Sequence, residues 1–365
     1  MTVKKICHLM TSAELGGAQI STFRLLRELE KKSQHQLYLA YGEKGPLLSC
    51  FSELKKTTVI RLKYLQRRFH PLFDLICLFQ LYFLFLEYRF DLLHTHCSKP
   101  SILGRLAAVL AGIKHIFHTY HGFGHPYFRN FLFRICFVFF EKWLNRWNQG
   151  TVFVCQSNLD EALKMNLVSP EQRHVVIQDM HDFYTSIPKS DKSGIHLLIG
   201  SVLSFKEQKR PLELILLAHR ISRHVPEAEF VFIGTGPLLE KTQAFAHKIG
   251  LKKVIFPGAV QNTEPYYSRM NLFLSCSRYE GLSMAQIECL YYHVPIVTTP
   301  AGGISDMLEQ GKQGFIYPYL DIKQAVTYSL EILKGPFYYV PKSVSFFDPF
   351  DHSRIIEKHE KLYAS

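Results

Sequence analysis

The chain has 365 residues, of which 47% are hydrophobic and 20% charged, and this balance excludes a disordered protein. The length suffices for two domains. The net charge of +12 is uneven, because residues 1–185 carry 23 Lys and Arg against 14 Asp and Glu, and the remainder carries 20 against 17. A basic, aromatic-rich first half predicts an anionic partner, with a merely solvated basic face as the alternative. Membrane phosphates fit that partner better than nucleic acid, since no nucleic-acid-binding motif accompanies the charge.

The eight cysteines are scattered, and no two of them have CxxC spacing. Most lie in apolar runs, a pattern that predicts reduced, buried thiols in a cytosolic protein rather than disulfides or a zinc frame. The first residues, MTVKKICHLM, lead directly into a strand pattern without a long apolar stretch. We therefore expect no signal peptide and a cytoplasmic location.

Short apolar runs alternate with helical patterns along the whole chain. In the first half the predicted strands are ICHLM, QLYLAYG, TTVIRL, DLLHTH, HIFHTY and TVFVCQ. In the second half they are HLLIGSVLSF, AEFVFIGTG, KVIFPGAV, NLFLSC and PIVTTP. Strands that alternate with helices predict parallel sheets with right-handed crossovers, and thus an α/β fold.

The alternation is interrupted by a polar segment that contains Pro and Gly, from Gln178 to Gly194. This interruption predicts two doubly wound α/β domains with a cleft between them. The predicted boundaries are a first domain over 1–180, a linker over 181–195, a second domain over 196–345 and a C-terminal helix over 346–365 that crosses back to the first domain.

Two segments of the first half are dense in Phe, Leu and Tyr, at Pro71–Phe90 and Phe128–Trp147. Polar residues interrupt both segments, so neither has the roughly 20 consecutive apolar residues of a membrane span. Two interpretations remain open: core helices, or helices whose surface lies in an anionic membrane interface. The second interpretation uses the interleaved basic residues Arg67, Arg68, Arg129, Arg134, Lys142 and Arg146.

The stretch SCSRYEGLSMAQIECLYYHVPIVTTPAGG contains two glutamates, Glu280 and Glu288, with seven residues between them. A strand is expected to end near Ser277 and a helix to begin near Ser283. The backbone N–H groups at a helix start lack intrahelical acceptors, and the helix dipole adds positive potential, so the turn over 281–283 is suited to a diphosphate. Glu288, one turn into the helix, has the oxygen acceptors that vicinal ribose hydroxyls need.

This stretch resembles the E-x7-E motif of the retaining glycosyltransferases of family 4, of the kind that builds bacterial surface polysaccharides. Other segments resemble the family in the same order along the chain, namely HLMTSAELGGAQISTFRLLREL, DLLHTHCSKPSILGRLAA, HTYHGFG, FVFIGTGPL and VPIVTTPAGGISDML. The resemblance covers nearly the whole chain. It implies the GT-B fold, in which two Rossmann-like domains face each other across a cleft.

The resemblance also implies roles for individual residues. Glu280 and His121 would be catalytic and contact the transferred sugar, and Glu288 would bind the ribose. The remaining donor-binding residues would be Gly16, Gly17, Lys206, Lys209, Gly236, Gly281, Leu282 and Ser283. The donor would be a nucleotide-diphosphate sugar, most often UDP-linked, and the acceptor a lipid-linked saccharide or another cell-surface glycan precursor. Such an enzyme would lie on the inner face of the cytoplasmic membrane.

The chain departs from the family pattern in three places, one of which is Asp306, where family members often have a glutamate. An arginine and a lysine usually follow the first strand of the second domain, but here Ser204 stands in the arginine position when the stretch is aligned on Gln208-Lys209. Lys209 is the predicted diphosphate lysine; Lys206 either replaces the missing charge or is a surface residue. The linker usually reads Pro-Asn-Gly, where this chain has Gln178-Asp179-Met180.

No cofactor and no metal are expected. There is no DxD motif, and DMHD over 179–182 has the wrong spacing. His94, His96, His118 and His121 have metal-like spacing, but the family places such histidines at the cleft without metal. LGGAQ is not the dinucleotide fingerprint, which argues against a nicotinamide dehydrogenase. A nucleotide-sugar epimerase of the same fold and a non-catalytic sugar-binding scaffold remain as alternatives.

Overall fold

The computed structural model describes residues 3–123, 131–180, 197–260, 262–335 and 339–364. The chain divides into two compact units. Unit 1 comprises Met1–His181 together with Phe347–Ser365, and unit 2 comprises Asp182–Phe346. The predicted linker over 181–195 lies outside the described residues, as does Arg129.

Unit 1 is built on seven parallel strands. They are β1 (Lys5–Ser12), β2 (Gln36–Glu43), β3 (Thr58–Arg61), β4 (Leu92–His96), β5 (His115–Tyr120), β6 (Gly150–Phe153) and β7 (His174–Val176). Their order in the sheet is β3-β2-β1-β4-β5-β6-β7. β1 and β4 are neighbours, and the chain proceeds from them toward opposite edges of the sheet. This reversal of strand order is the topological switch point of a doubly wound fold.

Among the described residues of the first 180, five α-helices follow the strands of unit 1. They are α1 (Gly17–Lys32), α2 (Pro71–Tyr88), α3 (Ser98–Leu110), α4 (Phe131–Asn145) and α5 (Gln156–Lys164), with a 3-10 helix over Pro46–Glu53. One apolar core, which includes Leu26 and Leu29, lies on the α1 side of the sheet. A second core, which includes Cys77 and Leu81, lies on the α2 and α3 side. Helices thus cover both faces of the sheet, as a parallel sheet requires.

Unit 2 repeats the plan with six parallel strands. They are β8 (Leu198–Val202), β9 (Glu229–Ile233), β10 (Val254–Gly258), β11 (Met270–Ser275), β12 (Ile296–Thr298) and β13 (Gly314–Ile316). Their order is β10-β9-β8-β11-β12-β13, so the switch point lies between β8 and β11. The helices are α6 (Pro211–Ser222), α7 (Leu239–Lys248), α8 (Glu264–Tyr267), α9 (Met284–Tyr291), α10 (Ile304–Met307) and α11 (Ile322–Lys334), with 3-10 helices over Glu207–Lys209 and Val344–Phe350.

The last helix, α12 (His352–Tyr363), packs in unit 1. Asp351 caps it by accepting a hydrogen bond from the backbone N–H of Arg354 at 3.1 Å. Its buried apolar residues, among them Ile355 and Leu362, join the core on the α1 side of the sheet. The hydroxyl of Tyr363 lies 2.6 Å from Nδ1 of His94 in β4. The C-terminal segment therefore completes the core of unit 1.

The two doubly wound parallel sheets confirm the predicted fold class. The sequence prediction missed β7 and β13, which have only three residues each. The prediction of buried thiols was wrong for Cys136, which is exposed, although all eight cysteines are free, as expected.

Candidate functional site

The site of unit 2 lies where β8 and β11 end side by side. Ligands of open α/β sheets bind outside the carboxyl ends of the strands at the switch point. Lys209 belongs to the 3-10 helix that follows β8, and Glu280 belongs to the loop that follows β11. The topology therefore brings the predicted diphosphate lysine and the predicted catalytic glutamate to one place.

Lys209 and Glu280 form a direct ion pair between Nζ and Oε1. Glu280 is buried, whereas the Lys209 side chain keeps 20% of its surface exposed. Gln208 reinforces the contact with two hydrogen bonds. Its side-chain Nε2 donates to the backbone carbonyl of Tyr279 at 2.8 Å, and its backbone carbonyl accepts from the backbone N–H of Arg278 at 2.7 Å. The two loops are thus joined in the ligand-free chain. The carboxylate of Glu280 is thus covered and paired with the lysine, and its contact with a donor sugar stays a prediction.

The turn over 281–283 leads into α9, with Ser283 as the N-cap residue. The helix begins at Met284, one residue from the predicted start, while β11 ends two residues earlier than predicted. A hydrogen bond of 2.8 Å from the N–H of Gly303 to the carbonyl of Gly281 holds the turn. Gly302 has φ of +65°, and a side chain there would collide with the Gly281 carbonyl, so glycine is required.

Glu288 lies half-buried on the second turn of α9. Its carboxylate is close to Tyr267, whose pKa is raised well above the usual value, first by burial and then by the negative charge of Glu288. Tyr267 also stacks on Tyr292, with ring centroids 5.5 Å apart. Glu288 is therefore held by a buried aromatic cluster, and its contact with a ribose stays a prediction.

Two further predicted donor residues lie in loops that pack together. Gly236 follows β9 with φ of +153°, and an added Cβ would come within 2.7 Å of the backbone of Phe205. The need for glycine at this position is therefore structural. Lys206 directly precedes the 3-10 helix that carries Lys209, on the same loop as Phe205.

In unit 1 the predicted glycine loop follows β1 at the other switch point. Gly16 is the N-cap residue of α1, and its N–H bonds the carbonyl of Glu14 at 3.0 Å. A Cβ on Gly16 would collide with the side chain of Gln19. Gly17 is the first residue of the helix. The loop thus has the close backbone geometry that the resemblance implies, and its contact with a donor stays a prediction.

His121 follows β5 and has a polar partner on each ring nitrogen. Its Nε2 lies 3.2 Å from Nδ1 of His96, and its Nδ1 lies 2.9 Å from the carboxylate of Asp179. The Nε2 of His96 lies in turn 3.0 Å from Nδ1 of His8 in β1. We call His8, His96, His121 and Asp179 the histidine chain. It runs from the carboxyl edge of the sheet into its interior.

The buried histidines of unit 1 are neutral at pH 7. Burial, followed by the nearby imidazole of His359, lowers the pKa of His8 to about 3. Burial and neighbouring imidazoles, in that order, hold the pKa of His96 well below its usual range. His94 bonds the hydroxyl of Thr119 at 2.7 Å as well as Tyr363, and His118 bonds Thr95, so both are occupied by protein groups.

Three of these imidazoles, His8, His94 and His96, have ring nitrogens within 4.8 Å of one another, close enough to share a metal ion. Their rings are arranged for stacking, since those of His8 and His96 lie 13° from parallel at a centroid distance of 5.3 Å. Both nitrogens of His94 already bond hydroxyl groups. The donor set therefore fits a hydrogen-bonded cluster better than a metal centre.

α2 exposes a line of apolar side chains, which we call the α2 stripe: Leu72, Leu75, Phe79, Phe83 and Leu86. Spacings of three and four residues put them on one side of the helix. The charged residue of the first turn points the other way, because Asp74 is buried and pairs with Lys99 of α3 at 2.5 Å. In the described chain α2 alone has the length and apolar composition of a membrane span, yet its contacts with α3 fasten it along the side of unit 1.

α4 has the same arrangement on the other side of α3. Its exposed apolar residues, which we call the α4 face, are Phe131, Leu132, Ile135, Phe139 and Phe140. Glu141 is buried and pairs with the guanidinium of Arg105 at 2.6 Å, and Arg105 also donates to Asn145 at 2.6 Å. Each helix thus turns one carboxylate toward the protein, Asp74 in α2 and Glu141 in α4, and exposes a set of large apolar residues.

Sequence reasoning missed three parts of this arrangement. It assigned Asp179 to the linker, although the residue is buried beside His121. It gave no role to His8. It treated Glu141 as a polar interruption, although a buried arginine and a glutamate 36 residues apart predict a helix-to-helix ion pair. For His8 and Glu141 the available signal was a polar residue within an apolar run, because such groups need buried partners. Asp179 lies in a polar segment that gave no such signal.

Two family models match the chain, Glycosyltransferase Family 4 over residues 15–177 and Glycosyl transferases group 1 over residues 183–344. The chain belongs to glycosyltransferase family 4. These matches confirm the resemblance and identify the chain as a glycosyltransferase.

Several curated relatives of this family 4 glycosyltransferase are bacterial proteins named for glycan synthesis. The UDP-Gal:alpha-D-GlcNAc-diphosphoundecaprenol alpha-1,3-galactosyltransferase of Escherichia coli is 26% identical over 336 residues, which cover 87% of this chain and 85% of the relative. The Vi polysaccharide biosynthesis protein VipC/TviE of Salmonella typhi is 38% identical over 129 residues. That match covers 35% of this chain and only 22% of the relative.

Solved structures share the fold across the whole chain. Anabaena HepE, solved in complex with UDP and glucose, has a TM-score of 0.75 at 17% identity, and the match covers 99% of this chain and 100% of HepE. A likeness at this identity establishes the fold alone, and it confirms the predicted GT-B class.

Proposed function

We propose that this glycosyltransferase moves a sugar, with retention of anomeric configuration and without a metal ion, from a UDP-linked donor to a lipid-linked saccharide or another precursor of a bacterial surface polysaccharide or lipopolysaccharide. The observation that carries the proposal is the contact of Lys209 with Glu280 at the switch point of unit 2, directly before the start of α9. A cation, a carboxylate and a helix N-terminus meet there.

The parts fit the chemistry of glycosyl transfer. The bond from the sugar C1 to the diphosphate oxygen breaks, a bond from C1 to the acceptor oxygen forms, and the acceptor hydroxyl proton passes to the departing phosphate. Negative charge grows on the diphosphate, where Lys209, Lys206 and the turn over 281–283 would stabilise it without a metal. Glu280 would release Lys209 to the diphosphate and contact the sugar. Glu288 would accept hydrogen bonds from the ribose.

In unit 1, we assign His121 to the transferred sugar, and Gly16 and Gly17 to close backbone contact with the substrates. Gly236 completes the donor-binding set. The relatives support the substrate classes, since the E. coli relative is named for a UDP-sugar donor and a diphosphoundecaprenol-linked acceptor. HepE was solved with UDP bound.

An anionic membrane surface is the proposed location. The α2 stripe and the α4 face present ten large apolar side chains, and both helices contact α3, so the two surfaces lie on one side of the unit 1 sheet. Exposed cations, Arg67, Arg68, Lys142 and Arg146, border them. Apolar residues that enter the interface and cations that meet lipid phosphates favour peripheral binding. We therefore place the enzyme on the inner face of the cytoplasmic membrane, where a lipid-linked acceptor would be found.

The test offers UDP-sugars to the full chain with and without extracted lipid-linked saccharides, in the presence and absence of EDTA, and measures UDP release. We expect rapid release only with the acceptor, no effect of EDTA, and an axial product linkage by NMR when the donor is an α-linked UDP-hexose. Conversion of the UDP-sugar without acceptor would instead identify an epimerase. UDP-sugar binding without turnover under any condition would identify a sugar-binding scaffold.

A further inference from the structure

The histidine chain links a carboxylate to three imidazoles in a single line. The distances are 2.9 Å from Asp179 to His121, 3.2 Å from His121 to His96 and 3.0 Å from His96 to His8. The contact of Asp179 with His121 is a close charge contact rather than an aligned hydrogen bond, and Nδ1 of His121 has no hydrogen-bond partner among the described residues. All four side chains are buried or nearly so. The last atom, Nε2 of His8, is buried and has no hydrogen-bond partner within the described structure.

This line favours one arrangement of hydrogens when the imidazoles are neutral and Asp179 is ionised. An ionised carboxylate carries no hydrogen, so its negative charge 2.9 Å from Nδ1 of His121 favours the proton on Nδ1, and Nε2 then accepts. His96 must then donate from Nδ1 and accept at Nε2. His8 must in turn donate from Nδ1, which leaves its Nε2 as a lone pair. The low pKa of His8, about 3, keeps the inner end of the line neutral.

We propose that Asp179 is a positioning residue that fixes the ring orientation of His121 and imposes the Nδ1–H tautomer on all three histidines of the chain. The contribution to catalysis rests on the proposed role of His121 at the transferred sugar. Asp179 is buried in unit 1, where it lines a cavity of about 20 Å³ together with His96 and His359. The carboxylate holds one side of the imidazole ring, and His96 holds the other.

The tautomers can be observed without a substrate. Long-range ¹H–¹⁵N NMR of the histidine-labelled full chain at pH 7 distinguishes Nδ1–H from Nε2–H for each ring. We expect Nδ1–H for His8, His96 and His121. Asp179→Asn should populate the reversed Nε2–H arrangement, because a neutral amide can also donate to His121. His118 is the internal control, since its Nδ1 bonds the carbonyl of Thr95 at 3.0 Å and should remain Nδ1–H in both proteins.

Three spectral results would overturn the proposal. The first is Nε2–H on His96 or His8 in the wild-type chain. The second is an unchanged set of tautomers in a folded Asp179→Asn variant. The third is copurified metal whose removal by EDTA shifts the resonances of His8, His94 and His96, which would make the cluster a metal site instead. The wild-type spectrum alone decides the first point if the variant does not fold.

The kinetic arm tests the link to catalysis. Asp179→Asn should lower kcat at least about tenfold with little change in the KM for the UDP-sugar, because the interaction acts on the reacting end of the donor. Asp91→Asn is the matched control, a surface carboxylate that accepts from the backbone N–H of Lys5 at 2.7 Å, and it should keep kcat. An unchanged kcat in the Asp179 variant would overturn the positioning role. Absence of transfer by the wild-type chain, with the expected spectra, would instead overturn the proposed function.

Discussion

At the residue scale, Lys209 and Glu280 neutralise each other's charge in the ligand-free chain. Lys209→Ala should weaken binding of UDP and lower turnover at least about tenfold, because a charge-assisted hydrogen bond contributes about 1.5–3 kcal/mol. Isothermal titration with UDP and steady-state kinetics measure the two effects. Lys206→Ala, on the same loop, compares the contribution of the second lysine with that of Lys209. Full activity of the Lys209 variant together with loss of activity in the Lys206 variant would show that Lys206, and not Lys209, stands in the family's lysine position.

Kinetic measurements can distinguish residues that act on the transferred sugar from residues that bind the nucleotide. Glu280→Gln and His121→Ala should each reduce kcat far more than they reduce the affinity for UDP, because both side chains are assigned to the sugar rather than to the nucleotide. Weakened UDP binding with an unchanged kcat would contradict this assignment. A double-mutant cycle of Lys209→Ala with Glu280→Gln then measures how strongly the two residues are coupled.

The candidate site could be predicted in part from the sequence. The strand that ends before a Gly-Leu-Ser turn identified Glu280, and a motif spacing identified Glu288, because both depend on local order along the chain. The pairing of Lys209 with Glu280 joins residues 71 positions apart, and only the strand order brings them together. The contact of Asp179 with His121 could not be predicted, because the polar segment that begins at Gln178 and contains Pro and Gly predicts a linker.

At the element scale, α2 and α4 show why their buried sides could not be predicted. α2 is apolar nearly all around, so the periodicity that normally marks the inner face is weak, and α4 has large apolar residues on its exposed side. Their buried carboxylates, Asp74 and Glu141, decide the orientation, because each finds a basic partner on α3. A prediction that places apolar residues inside and charged residues outside assigns Asp74 and Glu141 to solvent. It therefore predicts the wrong side of each helix as the buried one.

The buried pair of Arg105 with Glu141 should be essential for the docking of α4. Glu141→Gln should lower the free energy of unfolding by about 3–5 kcal/mol, because it leaves the guanidinium without a buried counter-charge. The double substitution Arg105→Met with Glu141→Leu should lose much less. Urea denaturation followed by fluorescence of Trp143 and Trp147, the two tryptophans of the chain, measures both. Equal losses in the single and double variants would contradict the argument.

The exposed faces predict binding to vesicles. Full-length protein should float with anionic liposomes, and salt should reduce this binding without abolishing it, because screening weakens the charges but not the burial of aromatic rings. The triple substitution Phe79→Ser, Phe83→Ser and Phe139→Ser should release the protein with its fold intact. Ile255→Ser removes a comparably exposed apolar residue from unit 2 and is the control. Protein that stays at the bottom of the gradient at low salt would exclude the membrane location.

At the scale of the whole molecule, stability should depend on pH through unit 1. Five buried imidazoles there have a lowered pKa, namely those of His8, His94, His96, His118 and His359. The unfolded chain binds protons at these groups near pH 6.5 and the folded chain only at much lower pH, about 3 for His8 and about 4 for His359. The free energy of unfolding therefore falls as pH decreases below about 6.5, by up to about 1.4 kcal/mol per pH unit for each imidazole.

Tryptophan fluorescence reports this transition from unit 1, since both tryptophans belong to it. Urea midpoints at pH 7.5 and pH 5.5 should differ clearly. Equal midpoints would contradict the assignment of these histidines as neutral in the folded state.

The return of α12 to unit 1 has a consequence for synthesis on the ribosome. The first 180 residues emerge early, yet their core lacks Ile355, Ile356 and Leu362 until nearly the whole chain has been translated. During that interval the nascent unit keeps an open apolar seam beside α1, and His94 lacks its Tyr363 partner. In the described part of the chain, the main apolar core of unit 2 is formed by residues between Leu197 and Leu333. The second half of this chain can therefore complete its folding before the first, which reverses the usual N-to-C order of domain folding.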